Sequence, residues 1–302
     1  IGYIAATKGW AVENSKESEW ETWWRSTEDI KYVQFMAKDN LPFHTIMWPA
    51  MILGTREEWK MADQIKGFNW LNYYGGKFST SSKRGVFLDQ AIEILPADYW
   101  RYSLMSMAPE SSDSAFTWEL LQVRVNKDLA DTLGNFVNRT LKFASTHFGS
   151  TIPEAGIPGE REQELEITCE KLIETICGFL RSMEFRKTTE ALCALWTVGN
   201  QYIDERAPWK LIKENREEAA LVIQTCINLI RLYAIASAPF IPFTSQKLFD
   251  ALHMSESDRM SKLSDGVKLD ALGAGHPFDV PPPLFRKLED KEIEGLSQQF
   301  CG

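Results

Sequence analysis

The sequence predicts an α/β segment followed by an all-α helix bundle, and three observations carry that expectation. Eight of the eleven tryptophans fall within residues 1–100, where short apolar runs alternate with turn signals and helical stretches, as in an α/β domain. The charge then shifts. Residues 1–108 hold 12 Lys and Arg against 13 Asp and Glu, whereas residues 109–302 hold 21 against 29, which places a boundary near Pro109. Beyond that point the apolar residues follow a helical period to about residue 252.

In chain order, Phe35 and Met36 read as a buried strand that delivers Lys38 and Asp39 to its C-terminal end, the edge where open α/β sheets bind ligands. Trp48-Pro49 starts or continues a helix that follows. Gly75 to Gly85 reads as a flexible loop. Asp113 or Ser114 is expected to cap a long helix starting about Phe116. Along it, Leu129, Leu133, Phe136, Val137, Leu141, Ala144 and Phe148 recur at three- and four-residue steps and form one apolar stripe. Further amphipathic stretches run from Glu160 to Met183, Arg186 to Glu205 and Glu217 to Ser237, the last stopped by Pro239 and Pro242. Four or more such helices with short connections make a bundle. Ser255 to Pro283 reads as a loop and Leu284 to Phe300 as a short amphipathic tail.

The 302 residues carry a formal charge of −9, with 44% hydrophobic and 25% charged residues. This is the composition of a folded chain with a sizeable core, and no apolar run reads as a membrane span, so no membrane partner is expected. The acidic balance argues against coating nucleic acid by bulk charge. Five scattered cysteines and four histidines suggest neither a disulfide framework nor a metal site, and the expected setting is a reducing cytoplasm. The chain opens Ile1-Gly2-Tyr3, with no initiator Met and no leader, and reads as the back part of something longer rather than a secretory precursor.

Three clusters carry chemistry. Lys38-Asp39 is followed by Pro42-Phe43-His44 and Trp48-Pro49, with His44 and Trp48 on one helix face; taken alone, that pair reads more readily as a core histidine packed on an aromatic. Gly75-Gly76-Lys77-Phe78-Ser79-Thr80-Ser81-Ser82-Lys83-Arg84-Gly85 combines free backbone, hydroxyls and cations, which suits a phosphate chain, although a surface turn has the same composition. It lacks P-loop spacing. Asn135 and Arg139 lie one turn apart, nearly opposite the apolar stripe and near Lys142. With Trp209 they form a set suited to stacking on and reading unpaired RNA bases, core packing of Trp209 being the alternative.

In this order the clusters resemble a class I aminoacyl-tRNA synthetase of the methionyl family, over nearly the whole chain. Ile1-Gly2-Tyr3 looks like the end of the family's DAPIGY segment. Asp39 with Pro42-Phe43-His44 and Trp48-Pro49 resembles KDxxxFHxxxWPA, and Lys77 to Ser81, KFSTS, stands at the place of the KMSKS loop. Asn200-Gln201-Tyr202-Ile203 through Ala207-Pro208-Trp209 is similar to the NxYxxxxxPW anticodon-domain segment. SDSAFTW from Ser112 and PLFRKLED from Pro283 look closest to the cytosolic eukaryotic and archaeal-like branch.

The resemblance implies a methionine–tRNA ligase in which ATP with Mg2+ activates methionine and the methionyl group passes to tRNA(Met). It implies the C-terminal half of a class I Rossmann-like nucleotide-binding domain over residues 1–108, an anticodon-binding bundle over 109–270 and a tail over 271–302. Tyr3, His44 and Trp48 would line the methionine pocket. Lys38, Asp39 and Thr80 would meet ATP, Lys77, Ser79, Thr80 and Ser81 would serve the reaction, and Asn135, Arg139 and Trp209 would read the anticodon. The family's HIGH signature and any zinc belong to an N-terminal half with no counterpart here. Two positions depart from the family pattern: Thr80 replaces the second lysine of KMSKS, and Ala37 replaces the glycine of GKD. The alternatives are a non-catalytic tRNA-binding module and another class I synthetase.

Overall fold

The computed structural model describes residues 2–25, 30–259, 263 and 267–301. Ile1 of the opening motif and parts of the Ser255–Pro283 stretch lie outside the described residues. The chain divides into two compact units, Ile1–Trp70 with Pro109–Ser114, and Leu71–Ala108 with Ala115–Gly302. This differs from the expected boundary at 108/109. Residues 71–108 belong with the helices because Tyr73, Leu95, Tyr99, Trp100 and Tyr102 share one buried core with Phe116, Trp118 and Leu121.

The first unit holds helices α1 (Gly2–Glu13) and α2 (Glu19–Trp24), strand β1 (Val33–Ala37), a 3-10 turn at Lys38–Asn40, a π-helical turn at Phe43–Met47, helix α3 (Trp48–Thr55) and strand β2 (Gln64–Phe68). β1 and β2 are parallel, in register from Val33↔Gln64 to Ala37↔Phe68. Lys38 and Asp39 follow the C-terminal end of β1, as the sequence implies. Phe35 is not buried as expected: it is 54% exposed and stacks on Phe68 with ring centroids 6.4 Å apart. Among the described residues this sheet has two strands. Gln34 is the strand residue that is buried.

In the second unit, β3 (Leu71–Tyr73) lies beside β4 (Ser114–Phe116), of which Ala115 and Phe116 belong to this unit, and between them in the chain run α4 (Leu88–Ile94) and α5 (Ala97–Ser106). The expected cap at Asp113 or Ser114 moves to Thr117, whose Oγ1 accepts the Leu120 N–H at 3.2 Å, and the helix starts at Trp118. Phe116 stays extended because its carbonyl accepts the Tyr74 N–H at 3.0 Å. The helix runs on through α6 (Trp118–Val123), a π-helical stretch at Arg124–Gly134 and α7 (Asn135–Phe148). From Leu129 to Ala144 the stripe is buried, and Phe148 closes it half-buried.

Helices α8 (Glu160–Arg181), α9 (Phe185–Arg206), α10 (Pro208–Glu214), α11 (Arg216–Ser237), α12 (Pro242–Ala251) and α13 (Glu256–Arg259) complete the bundle. Pro239 and Pro242 do separate two helices, with Pro242 opening the second, where its missing N–H costs nothing. Against the expectation from apolar runs, α11 is long and apolar enough to cross a membrane. Of its most apolar 18-residue window, 94% is buried among the other helices of the bundle. The thiols of Cys169 and Cys193 are pushed up to about 12 and about 11, chiefly by burial, which leaves them protonated and unreactive.

The tail folds back onto its own unit. Helix α14 (Asp290–Gln299) is tethered by Gln122, whose Nε2 donates to Asp290 Oδ1 at 2.7 Å. Asn126 exchanges two hydrogen bonds with the Leu288 backbone, at 2.8 and 2.9 Å.

Three long helices meet closely at Gly199. A Cβ there would stand well inside contact distance of Tyr233 Oη and 3.0 Å from Phe136 Cζ, both on fully buried rings. Gly199→Ala is expected to destabilise the bundle by about 1–3 kcal/mol, the usual cost of overpacking, read as a lower thermal midpoint.

Candidate functional site

In the first unit, residues from α1, β1, the π-turn and α3 enclose a cavity of about 280 Å³ lined by Gly2, Tyr3, Gln34, Phe43, His44, Met47, Trp48 and Met51. The structure thus brings Tyr3, His44 and Trp48 together. The local cause is helical phase: four residues separate His44 from Trp48, and Pro49 continues the same helix. The Tyr3 and His44 rings are 5.9 Å apart at 38°. The lining is aromatic and thioether-rich, with Gln34 and the His44 nitrogens as its main polar groups. That chemistry suits a soft, polarizable side chain.

Next to β1, Lys38 Nζ is 2.8 Å from Asp113 Oδ1, and the same carboxylate accepts the Trp70 N–H at 3.0 Å. The Lys38 hydrogen bond, and then the Trp70 amide, hold the Asp113 carboxyl below its ordinary value. Asp113 is therefore a tether for Lys38, not a helix cap. Asp39 and Lys38 are both exposed. Ala37 has φ −77° and ψ 157°, ordinary extended backbone, so nothing in its conformation demands the family's glycine.

In the second unit, the KFSTS loop closes as a tight turn: Ser79 and Arg84 exchange backbone hydrogen bonds of 3.0 and 2.9 Å. Ser79 Oγ lies 3.2 Å from Ser81 Oγ and accepts the Ser82 N–H at 3.2 Å. Lys77, Thr80, Ser81 and Lys83 are exposed. Arg84 is not, since its Nη2 donates to the Tyr73 carbonyl at 3.0 Å. Of the two cations near Thr80, Lys83 is thus the one facing solvent. The far end of the loop is held by the tail, with the Gly85 N–H donating to the Phe300 carbonyl at 3.1 Å.

Also in the second unit, Arg139 and Trp209 come together, with the guanidinium carbon 5.7 Å from the indole centroid. Trp209 is 39% exposed, which removes the core-packing alternative. Asn135 is exposed one turn before Arg139. Arg139 Nη1 pairs with Asp204 Oδ1 at 2.6 Å and Nη2 meets Asn200 Oδ1 at 3.4 Å, while Asn200 Nδ2 donates to the Thr132 carbonyl at 2.9 Å.

Sequence reasoning missed Gln34, Met47 and Met51 in the cavity, Asp113 beside Lys38 and Asp204 beside Arg139. Gln34 carried one signal, an amide inside the apolar run Val33–Ala37. Asp113 carried none, because its partner is 75 residues away. Among the described residues no three His, Cys, Asp or Glu side chains gather to hold a metal ion.

The family model for class I (M) tRNA synthetases matches residues 1–141, and that for the anticodon binding domain of methionyl tRNA ligase matches residues 152–302. A methionine--tRNA ligase of Acaryochloris marina is 60% identical over 302 residues, covering 100% of this chain and 54% of that protein. One from Streptomyces avermitilis is 50% identical over 307 residues, with the same coverages. The chain thus spans about half the length of the curated relatives it matches. A structure of Mycobacterium tuberculosis methionyl-tRNA synthetase bound by methionyl-adenylate shares the fold, with TM-score 0.77 and 24% identity over 84% of this chain and 50% of that one.

Gly85 has φ +96°, and a Cβ there would press into the Phe78 ring, 2.7 Å from Cε1. Gly85→Ala is expected to loosen the KFSTS turn, seen as faster hydrogen exchange at the Ser79 and Arg84 amides with the bundle amides unchanged.

Proposed function

The chain belongs to the methionyl family of class I tRNA synthetases, and on that footing we propose that it serves methionine–tRNA ligation in the cytoplasm. A methionine carboxylate oxygen attacks the α-phosphorus of ATP, the bond to the β-phosphate oxygen breaks, and pyrophosphate leaves. The tRNA 3′ hydroxyl then attacks the adenylate carbonyl and AMP departs. The partners under this reading are methionine, ATP with Mg2+ and tRNA(Met), together with an N-terminal half of the same protein; the matched relatives are about twice as long as this chain.

The observation that carries the reading is the cavity of Tyr3, His44 and Trp48, with Met47 and Met51 beside them. Thioether and aromatic walls favour a methionine side chain over a branched aliphatic or a charged one. Lys77 and the hydroxyls of Ser79, Thr80 and Ser81 supply cation and donors for the charge that grows on pyrophosphate, with Lys83 as the solvent-facing cation next to Thr80. Asp39 and Lys38 serve the ribose and phosphates. Positioning of two bound substrates supplies much of the rate, and no covalent enzyme intermediate forms. Trp209 offers a stacking face and Asn135 and Arg139 offer edge-reading donors to the anticodon.

Two measurements on the full-length protein test this. Lys77→Ala should slow methionine-dependent pyrophosphate exchange by about 10² or more, the scale of a lost transition-state donor; an unchanged rate would remove the loop from the chemistry. Trp209→Ala should raise the KM for tRNA(Met) about tenfold or more, as loss of one stacking face does, while leaving pyrophosphate exchange unaltered. Retention of tRNA binding with no amino-acid-dependent exchange at all would identify a binding module instead.

A further inference from the structure

Gln34 is the second residue of β1, 7% exposed, with Val33 before it and Phe35 and Met36 after it. A primary amide in such a place must find partners for both ends, because a buried amide group left unpaired is costly. Both ends are paired. Gln34 Nε2 donates to the Tyr32 hydroxyl at 2.6 Å, and Gln34 Oε1 lies 3.1 Å from His44 Nδ1. Tyr32 is itself fixed. Its main-chain N–H donates to Asp63 Oδ2 at 2.7 Å, and its ring meets Trp24 edge-on at 5.2 Å. The Trp24 indole N–H in turn donates to Thr7 Oγ1 at 3.0 Å.

As placed, the amide nitrogen faces the Tyr32 hydroxyl and the amide oxygen faces His44, an acceptor that a ring N–H matches. We propose that Gln34 is a positioning residue for methionine binding, which holds His44 in its Nδ1–H tautomer and fixes the ring's plane beside Tyr3 and Trp48. The proposal rests on reading the cavity as the methionine site. Gln34 and His44 line the same cavity, so the clamp acts on a wall of the pocket and not on a remote part of the fold. Its effect is preorganisation: a ring hinged only at its Cβ would sample other rotations, and methionine would have to order it on binding.

Two readouts on the full-length protein decide it. The first is the tautomer. The chain has four histidines, so the His44 signals in a two-bond 15N–1H spectrum are assigned by their loss in His44→Asn. The wild type should show Nδ1 protonated and Nε2 bare, and Gln34→Leu should show a mixture of tautomers. An Nε2–H ring in the wild type overturns the clamp whatever the activity does. The second is a kinetic split. Gln34→Leu should raise the KM for methionine about tenfold in pyrophosphate exchange while changing kcat and the KM for ATP by no more than about twofold, the pattern of lost ground-state and transition-state binding alike. Gln34→Glu restores the acceptor and should recover the methionine KM to within about twofold of the wild type. An unchanged methionine KM in Gln34→Leu, or a loss in kcat with KM unaltered, would overturn the positioning role. If the wild type shows no methionine-dependent exchange, the functional reading and the positioning role fall together, while the spectrum still decides the hydrogen bond.

Discussion

The Trp118 indole N–H donates to the Tyr73 hydroxyl at 2.9 Å, and much of the second unit is assembled around that bond. Both rings are buried, and around them Trp100, Phe116 and Phe300 pack with centroid distances of 5.4 to 6.0 Å. Tyr73 opens the KFSTS segment, Trp118 opens the helix that carries Asn135 and Arg139, and Phe300 closes the tail. One aromatic cluster thereby joins the loop proposed to meet ATP to the helix proposed to read RNA. Cutting the bond leaves a buried donor without a partner, a cost of about 1–3 kcal/mol before any packing is lost. Burial raises the Tyr73 hydroxyl above its ordinary value, so the phenol stays neutral across the working pH range.

The same economy of charge appears at the proposed anticodon face. An acidic chain with few cations keeps Arg139 half-buried, in contact with Asp204, Asn200 and the Trp209 ring. Aimed and partly desolvated, a guanidinium gives up less rotamer freedom on binding than a solvated one. Asp204 then competes with an incoming base or phosphate for the same donors. An arrangement of this kind buys discrimination more than raw affinity, because a ligand that fails to replace the carboxylate gains little.

Much of the candidate site was legible in the sequence. The spacing of His44 and Trp48 places both on one helix face whatever the fold around them, and both line the cavity. The three-and-four step from Leu129 to Ala144 located the buried stripe, and so by subtraction the positions of Asn135, which is exposed, and Arg139, which is half-buried. The failures share one cause. Phe35 reads as core because it is apolar, but its burial depends on what packs on its face of the sheet. Asp113 reads as a cap because a helix follows, yet its carboxylate is taken by Lys38 and by the Trp70 amide. The apolar run of α11 reads as ordinary, although by length and hydropathy it would also suit a membrane, and only the surrounding helices decide its place.

By itself the sequence determined what local rules reach: helix phase, the glycine-rich loop, the acidic balance, and a resemblance carried by motifs whose residues stand in the family's order. The tertiary structure alone decided which groups meet across long separations, as the side chains of Lys38 and Asp113, those of Arg139 and Asp204, and the backbones of Gly85 and Phe300 do. It also decided that Arg84 turns inward while Lys83 faces water. The reason is physical: periodicity is a property of neighbouring residues, whereas the partner of a buried amide or a half-buried cation is set by packing, which no stretch of chain specifies alone. Gln34 belongs to both sides. Its presence in an apolar strand was visible in the sequence, and the tautomer it imposes on His44 required the fold.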